Sequence, residues 1–198
     1  MWEYRKIYWV KGWAISLLMV FRKPPPHFKR LIDLFLNKHH STAAFFLCLL
    51  LIGMEDHIME LWKKAAGPPN VYVISPFTAV KDGIKKVLKD RLKSMNVSAK
   101  VLNGWIQNSV GTVHTFQGKE AEIVYFVTGT DENSDGAANW SCSKPNLINV
   151  AVTWAKQEFY VIGDYSRFSK KPNYTSIAKN IGKVQGTNQS TINLSVKR

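Results

Sequence analysis

From Val110 to Glu120 the chain reads VGTVHTFQGKE, and within these eleven residues it gathers the groups that a phosphorylated ligand needs. Thr112 and Thr115 bring hydroxyls, and exposed backbone N–H groups beside them could grip phosphate oxygens. Gly118 lets the backbone come close to a ligand. Lys119 and Glu120 follow, and a carboxylate such as Glu120 accepts hydrogen bonds from a ribose. The same residues also make a polar loop with a turn glycine, and residue types alone do not separate the two readings. A second segment, PNLINVAVTWAKQEFYVIGD from Pro145 to Asp164, is a helix pattern feeding directly into a strand pattern. By pattern alone it is core.

Other chemistry finds less footing. His27, His39, His40, His57 and His114 show no metal-binding spacing of the HExxH kind. Ser41 and Ser143 lack a nucleophile elbow. Cys48 and Cys142 are too few for a disulfide framework and have no zinc spacing. They fit a reducing compartment, and the expected location is cytoplasmic. Asp131-Glu132, after the strand pattern EIVYFVTGT, superficially mimics an acidic Mg²⁺ motif.

These segments need a frame to position them. Val71–Ile74 reads as a short buried strand. Ser75-Pro76 then supplies an N-cap and a first-turn proline. The helix they open runs to about Lys93, with Val80, Ile84, Val87 and Leu88 on one face. Ser109–Val113, Glu122–Val127 and Phe159–Ile162 read as strands, and Asn146–Ala155 as a mostly buried helix. Apolar strands alternating with helices imply an α/β fold, a parallel sheet flanked by helices on both faces. Ligands bind such sheets at the carboxyl ends of the strands. That places Ser75–Thr78, His114–Glu120 and the turn after Gly129 at the expected site.

A chain of 198 residues makes one domain with room for an appendage. Its 45% hydrophobic content excludes wholesale disorder. With 27 Lys and Arg against 14 Asp and Glu, the net charge is +13, which suits a polyanion such as nucleic acid. The longest uncharged apolar run, Ala43 to Met54, would rise only about 18 Å as a helix, short of a bilayer core of about 30 Å. A second apolar run, Gly12 to Phe21, is followed by RKPPP and no small-residue cleavage site. Both favour a buried or partner-facing helix over a membrane segment. Composition changes near Gly67-Pro68-Pro69-Asn70. Residues 1–69 form an irregular helical segment, 70–165 the α/β domain, and 166–198 a basic polar tail, with seven basic and no acidic residues after Asp164.

Taken in order, VYVISPF, GTVHTFQGKEAEIVYFV and PNLINVAVTWAKQEFYVIGD resemble motifs IV, V and VI of superfamily 1 helicases. The nearest type is the group that includes the nonsense-mediated-decay and tRNA-splicing-endonuclease helicases. The resemblance covers about residues 70–165, and it implies the second, C-terminal RecA-like domain of the P-loop NTPase superfamily. It also implies roles. Phe77 matches the aromatic that stacks on adenine. Gln117, Gly118 and Glu120 match the group lining the nucleotide, with Glu120 toward the ribose. Thr112, His114 and Thr115 match positions beside the backbone of single-stranded nucleic acid, where His114 is structural or backbone-contacting and not a general base. Asn149 and Thr153 match the helix facing the interdomain cleft.

The departures from the family matter as much. No GxxxxGK[ST] occurs in the sequence, so the phosphate cradle, its lysine and the Mg²⁺-binding hydroxyl are absent. Asp131-Glu132 falls in a loop that varies in the family, so no metal role is expected. Trp154 occupies the arginine-finger position, and an arginine finger is typically worth about 10³–10⁵ in rate. Lys156 lies about 200° around a helix from that position and is a poor substitute. Thr78 stands where a second arginine often follows the motif IV aromatic. The expectation is a partial ATP-dependent helicase that does not hydrolyse ATP alone. ATP and Mg²⁺ would bind only with a P-loop partner, the first RecA-like domain supplied in cis or in trans, and the strand bound would be single-stranded DNA or RNA. Residues 1–69 are too few for that first domain, which favours a piece of a larger helicase gene over an independent remnant. The alternative is a non-catalytic nucleic-acid-binding module. A membrane-surface protein using the Trp-rich N-terminus ranks last.

Overall fold

The computed structural model describes residues 5–10, 42–65, 67–129, 135–175, 178, 182–184 and 193–194. Gly12–Phe21, Pro24–Pro26, the His39-His40 pair, Asp131-Glu132 and most of the tail lie outside the described residues. The strands are β1 (Arg5–Val10), β2 (Val71–Ile74), β3 (Val110–Gly111), β4 (Ala121–Val127), β5 (Ala155–Ile162), β6 (Gly182–Val184) and β7 (Asn193–Leu194). The helices are α1 (Thr42–Ala65), α2 (Thr78–Leu92), α3 (Ala99–Ser109), α4 (Asp135–Ser143), α5 (Pro145–Thr153) and the single turn α6 (Tyr165–Phe168), with a 3-10 turn at Val113–Phe116. Strand order is β3-β2-β4-β5-β1-β6, all parallel, and β7 pairs antiparallel with β1. This is the α/β, RecA-like arrangement expected from the alternation of strands and helices.

Alternation along each strand decides which layer a side chain joins. Val71, Val73, Ile123, Tyr125, Val127 and Ile162 enter one core, with α1, α2 and α3. Ile74, Val124, Phe126, Phe159 and Val161 enter the other, with the 3-10 turn, α4, α5 and α6. Both faces are covered, so the central strands are apolar almost throughout.

Local chemistry shifts several expected boundaries. The strand expected over Ser109–Val113 is only Val110–Gly111, because Thr112 and Thr115 bond to each other and turn the chain into the 3-10 helix. Ser75 does not cap a helix at Pro76. Its Oγ accepts the Phe77 N–H at 3.2 Å, and α2 starts at Thr78. Val87, expected on the buried face of α2, is exposed, and Leu92 takes its place beside Ile84 and Leu88.

Segment 42–65 contributes to the core. Met54, Ile58 and Trp62, one α-helical turn apart, are buried. Trp62 meets Trp105 edge-on at 5.0 Å, and the Trp105 indole N–H donates to the Pro69 carbonyl at 2.9 Å. His57 Nδ1 and the Tyr125 hydroxyl share a 2.5 Å hydrogen bond, which fastens α1 to β4, and burial lowers the His57 pKa. No helix among the described residues is long and apolar enough to cross a membrane.

α1 also buries a carboxyl. Glu55 is 3% exposed and lies 3.8 Å from Arg91 Nε, while Arg91 Nη2 reaches Asp56 at 2.6 Å. Burial pushes the Glu55 carboxyl up to about 7, against the opposing pull of Arg91. A folded-state pKa above the unfolded value favours the protonated form in the fold. The associated stability is complete below about 4.5 and is lost as pH rises through about 7. Glu55→Gln is therefore expected to remove this slope, raising the melting temperature by a few degrees at pH 8 relative to the parent while changing it little near pH 5. Parallel melting curves for the two proteins across that range would show that Glu55 does not carry the effect.

Candidate functional site

Two ends of the sheet carry the residues singled out by the sequence. The first is the C-terminal edge. Ser75 is buried, its N–H donates to the Gly111 carbonyl at 3.1 Å, and its hydroxyl accepts the Phe77 N–H. The ends of β2 and β3 are thus tied together, and Phe77 leaves the sheet in a fixed direction. Its half-buried ring lies 6.1 Å from that of Trp140 on α4, tilted by 46°. Thr78 opens α2 and is exposed.

On the same edge the chain turns after Gly111. The Thr112 N–H donates to Thr115 Oγ1 at 3.1 Å, the two hydroxyls lie 3.3 Å apart, and the Thr115 N–H donates to the Thr112 carbonyl at 2.9 Å. These reciprocal bonds are the logic of a capping box applied to a 3-10 turn. Val113 and Phe116 are buried beneath, and Phe116 stacks on Tyr72 at 4.2 Å. His114 and Thr115 are exposed, and Thr112 is half-buried. The two threonine hydroxyls hold the turn and still face outward enough to meet a ligand.

The second end is the N-terminal edge, where the VGTVHTFQGKE segment finishes. Gln117, Gly118, Lys119 and Glu120 are all exposed. Gly118 has φ 76°, and a Cβ there would touch nothing within 4 Å, so its glycine is needed for conformation and not for space. Glu120 Oε2 lies 3.3 Å from Lys156 Nζ, the second residue of β5. One residue on, the Ala121 N–H donates to the Trp154 carbonyl at 2.9 Å. The end of the first motif segment is therefore sewn to the junction of helix and strand in the second, through an ion pair and a backbone bond.

Trp154 is 5% exposed, packed edge-on to Phe116 at 6.3 Å in the core beneath α5. The expected finger position thus holds an inward-facing indole, and the nearby cation Lys156 is paired with Glu120. Asn149 and Thr153, four apart on α5, are exposed, and the Thr153 hydroxyl donates to the Val150 carbonyl at 2.7 Å.

The structure does not bring all the expected nucleotide-facing residues together. Ile74 pairs with Phe126, so Phe77 lies beyond the top of the sheet, while Glu120 precedes Ala121 at the bottom. The five steps along β4 from Ala121 to Phe126 span about 17 Å at a rise of about 3.3 Å each. Gln117, Gly118 and Glu120 gather at one edge with Lys156. Phe77 gathers at the other with Thr112, His114 and Thr115. Trp140 was not anticipated from sequence, because α4 carried no strong apolar period, and its exposure beside Phe77 is visible only in the fold.

A family model described as an AAA domain matches residues 51–166. No curated protein matches the chain.

Proposed function

The chain belongs to the AAA domain family and is a helicase-like domain, and on that premise we propose that it is the second motor domain of a superfamily 1 ATP-dependent helicase, of the nonsense-mediated-decay and tRNA-splicing-endonuclease type. Gln117, Gly118 and Glu120 face the nucleotide, which enters with Mg²⁺ only when a P-loop domain closes over this edge. Thr112, His114 and Thr115 face the backbone of single-stranded DNA or RNA. The observation that carries this reading is the seam of Glu120 with Lys156 and of Ala121 with Trp154, which joins the two motif segments at one edge. The segment from Thr112 to Glu120 runs from the strand edge to the nucleotide edge and links the two in the chain. Closure of two such domains around a nucleotide is the kind of motion that advances a strand.

The domain does not hydrolyse ATP by itself. The P-loop groups are missing from the sequence, and a buried Trp154 offers no cation to charge developing on a transferred phosphoryl group. The purified chain with ATP, Mg²⁺ and single-stranded nucleic acid is expected to release no phosphate above background. With a P-loop domain in trans, nucleotide is expected to change strand affinity, while hydrolysis stays about 10³–10⁵ below an arginine-bearing pair. Metal-dependent phosphate release by the chain alone would overturn the reading. Strand affinity indifferent to nucleotide with the partner present would favour a non-catalytic nucleic-acid-binding module, for which the exposed lysines Lys86, Lys89 and Lys100 on α2 and α3 speak.

A further inference from the structure

Phe77 and Trp140 sit at the strand-facing edge, well away from the residues assigned to the nucleotide. We propose that Trp140, backed by Phe77, is a stacking platform for a base of the bound single strand. The inference rests on the function proposed above and gives Phe77 a different ligand from the adenine expected of it.

Exposure is the first observation. Trp62, Trp105 and Trp154 are buried, whereas Trp140 is 47% exposed. Covering that indole with a ligand would remove apolar surface from water, which is favourable. The second is preorganisation. Arg167 holds Asp135 from α6, Lys171 Nζ donates to Asn139 Oδ1 at 2.6 Å, and Asn173 Nδ2 donates to the Cys142 carbonyl at 2.6 Å. With Ala138, Ser141 and Cys142 buried beneath, these contacts fix the rotation of α4, and Trp140 is left facing out beside Phe77. The third is position. The ring pair lies at the C-terminal edge of a parallel sheet, where ligands bind, on the same edge as the Thr112–Thr115 turn. The rings are tilted and not stacked on each other, so the indole keeps a face for a base. The net charge of +13 draws in the phosphate backbone, and aromatic faces then hold bases without regard to sequence.

The test separates a base from its phosphates and a strand from a nucleotide. The full chain, with a P-loop domain supplied in trans, is titrated with an oligothymidylate, an abasic strand of equal length, ADP and pyrophosphate, at several salt concentrations. The oligothymidylate is expected to bind about tenfold more tightly than the abasic strand, within the range of one stacked base. Trp140→Ala should erase that preference and Trp140→Phe should restore most of it, with the salt dependence and the ADP affinity unchanged. A preference that survives Trp140→Ala overturns the inference and leaves the proposed function standing. Loss of ADP affinity alone returns the platform to the nucleotide and also overturns it. If the chain binds none of the four ligands even with a P-loop domain present, the inference and the proposed function fall together. Matching melting curves for the three proteins show that the fold is intact.

Discussion

Replacing Trp154 by alanine is expected to lower the unfolding free energy by about 3–5 kcal/mol, the range for a large aromatic removed from a core. For a chain of this size that is roughly 10 °C in melting temperature. The indole is 5% exposed and fills the space between α5 and the 3-10 turn, against Phe116. The backbone there is engaged as well: the Trp154 N–H donates to the Ala151 carbonyl at 3.3 Å, and its own carbonyl receives the Ala121 N–H at 2.9 Å. Loss of the side chain should therefore loosen the seam that joins the two motif segments. Trp154→Arg, which writes in the arginine that the helicase resemblance expects there, is expected to destabilise as well, because a guanidinium placed there is either buried without a partner or withdrawn, leaving a cavity. It should also confer no hydrolysis, since the phosphate cradle is still missing. Thermal unfolding checks both variants. An alanine variant that melts within a degree or two of the parent would mean that the indole is not a core element.

The sheet was legible because its strands are dense in β-branched and aromatic residues. VYVI and EIVYFV have few other ways to bury themselves, and two-sided burial follows from their lack of polar alternation. What local sequence could not show was distance in the chain. β1, Arg5–Val10, is a short segment with two leading basic residues, and it earns its place by pairing with β5 from the far end of the sequence. α3 is hidden in the sequence although Leu102, Trp105, Ile106 and Ser109 form one buried face, because NGW and QNS dilute the apolar signal with turn-forming residues. The residue types of the site were likewise plain from VGTVHTFQGKE. Their division between two edges was not, since it depends on the register that sets Ile74 beside Phe126. Trp154 shows the same limit: in sequence it reads as a lost arginine, and only packing reveals what it gained.

Gly111→Ala is expected to destabilise by about 1–3 kcal/mol, the usual cost of overpacking, and to disturb the Thr112–Thr115 turn more than the rest of the fold. A Cβ on Gly111 would lie 2.7 Å from Thr115 Cβ and 2.8 Å from both Thr115 Cγ2 and Phe116 Cε2. The backbone at Gly111 is not in the left-handed region, where Gly118 and Gly129 lie, so the requirement at this position is for space. To make room, the 3-10 turn must lift away from β3, which strains the Thr112–Thr115 bonds and draws Phe116 off Tyr72. Thr115→Ser removes one of the crowding carbons and keeps the hydroxyl that holds the turn. In a double-mutant cycle it should recover about 0.5 kcal/mol or more of the loss. Gly118→Ala makes the contrast, because its φ of 76° costs an L-residue about 1–2 kcal/mol with no neighbour to clash, and Thr115→Ser should relieve none of it. Urea unfolding of the single and double variants measures both couplings. If Gly111 and Thr115 prove independent, the turn does not rest on the strand as closely as the structure has it. The strand-binding role proposed for Thr112, His114 and Thr115 would then lose its rigid support.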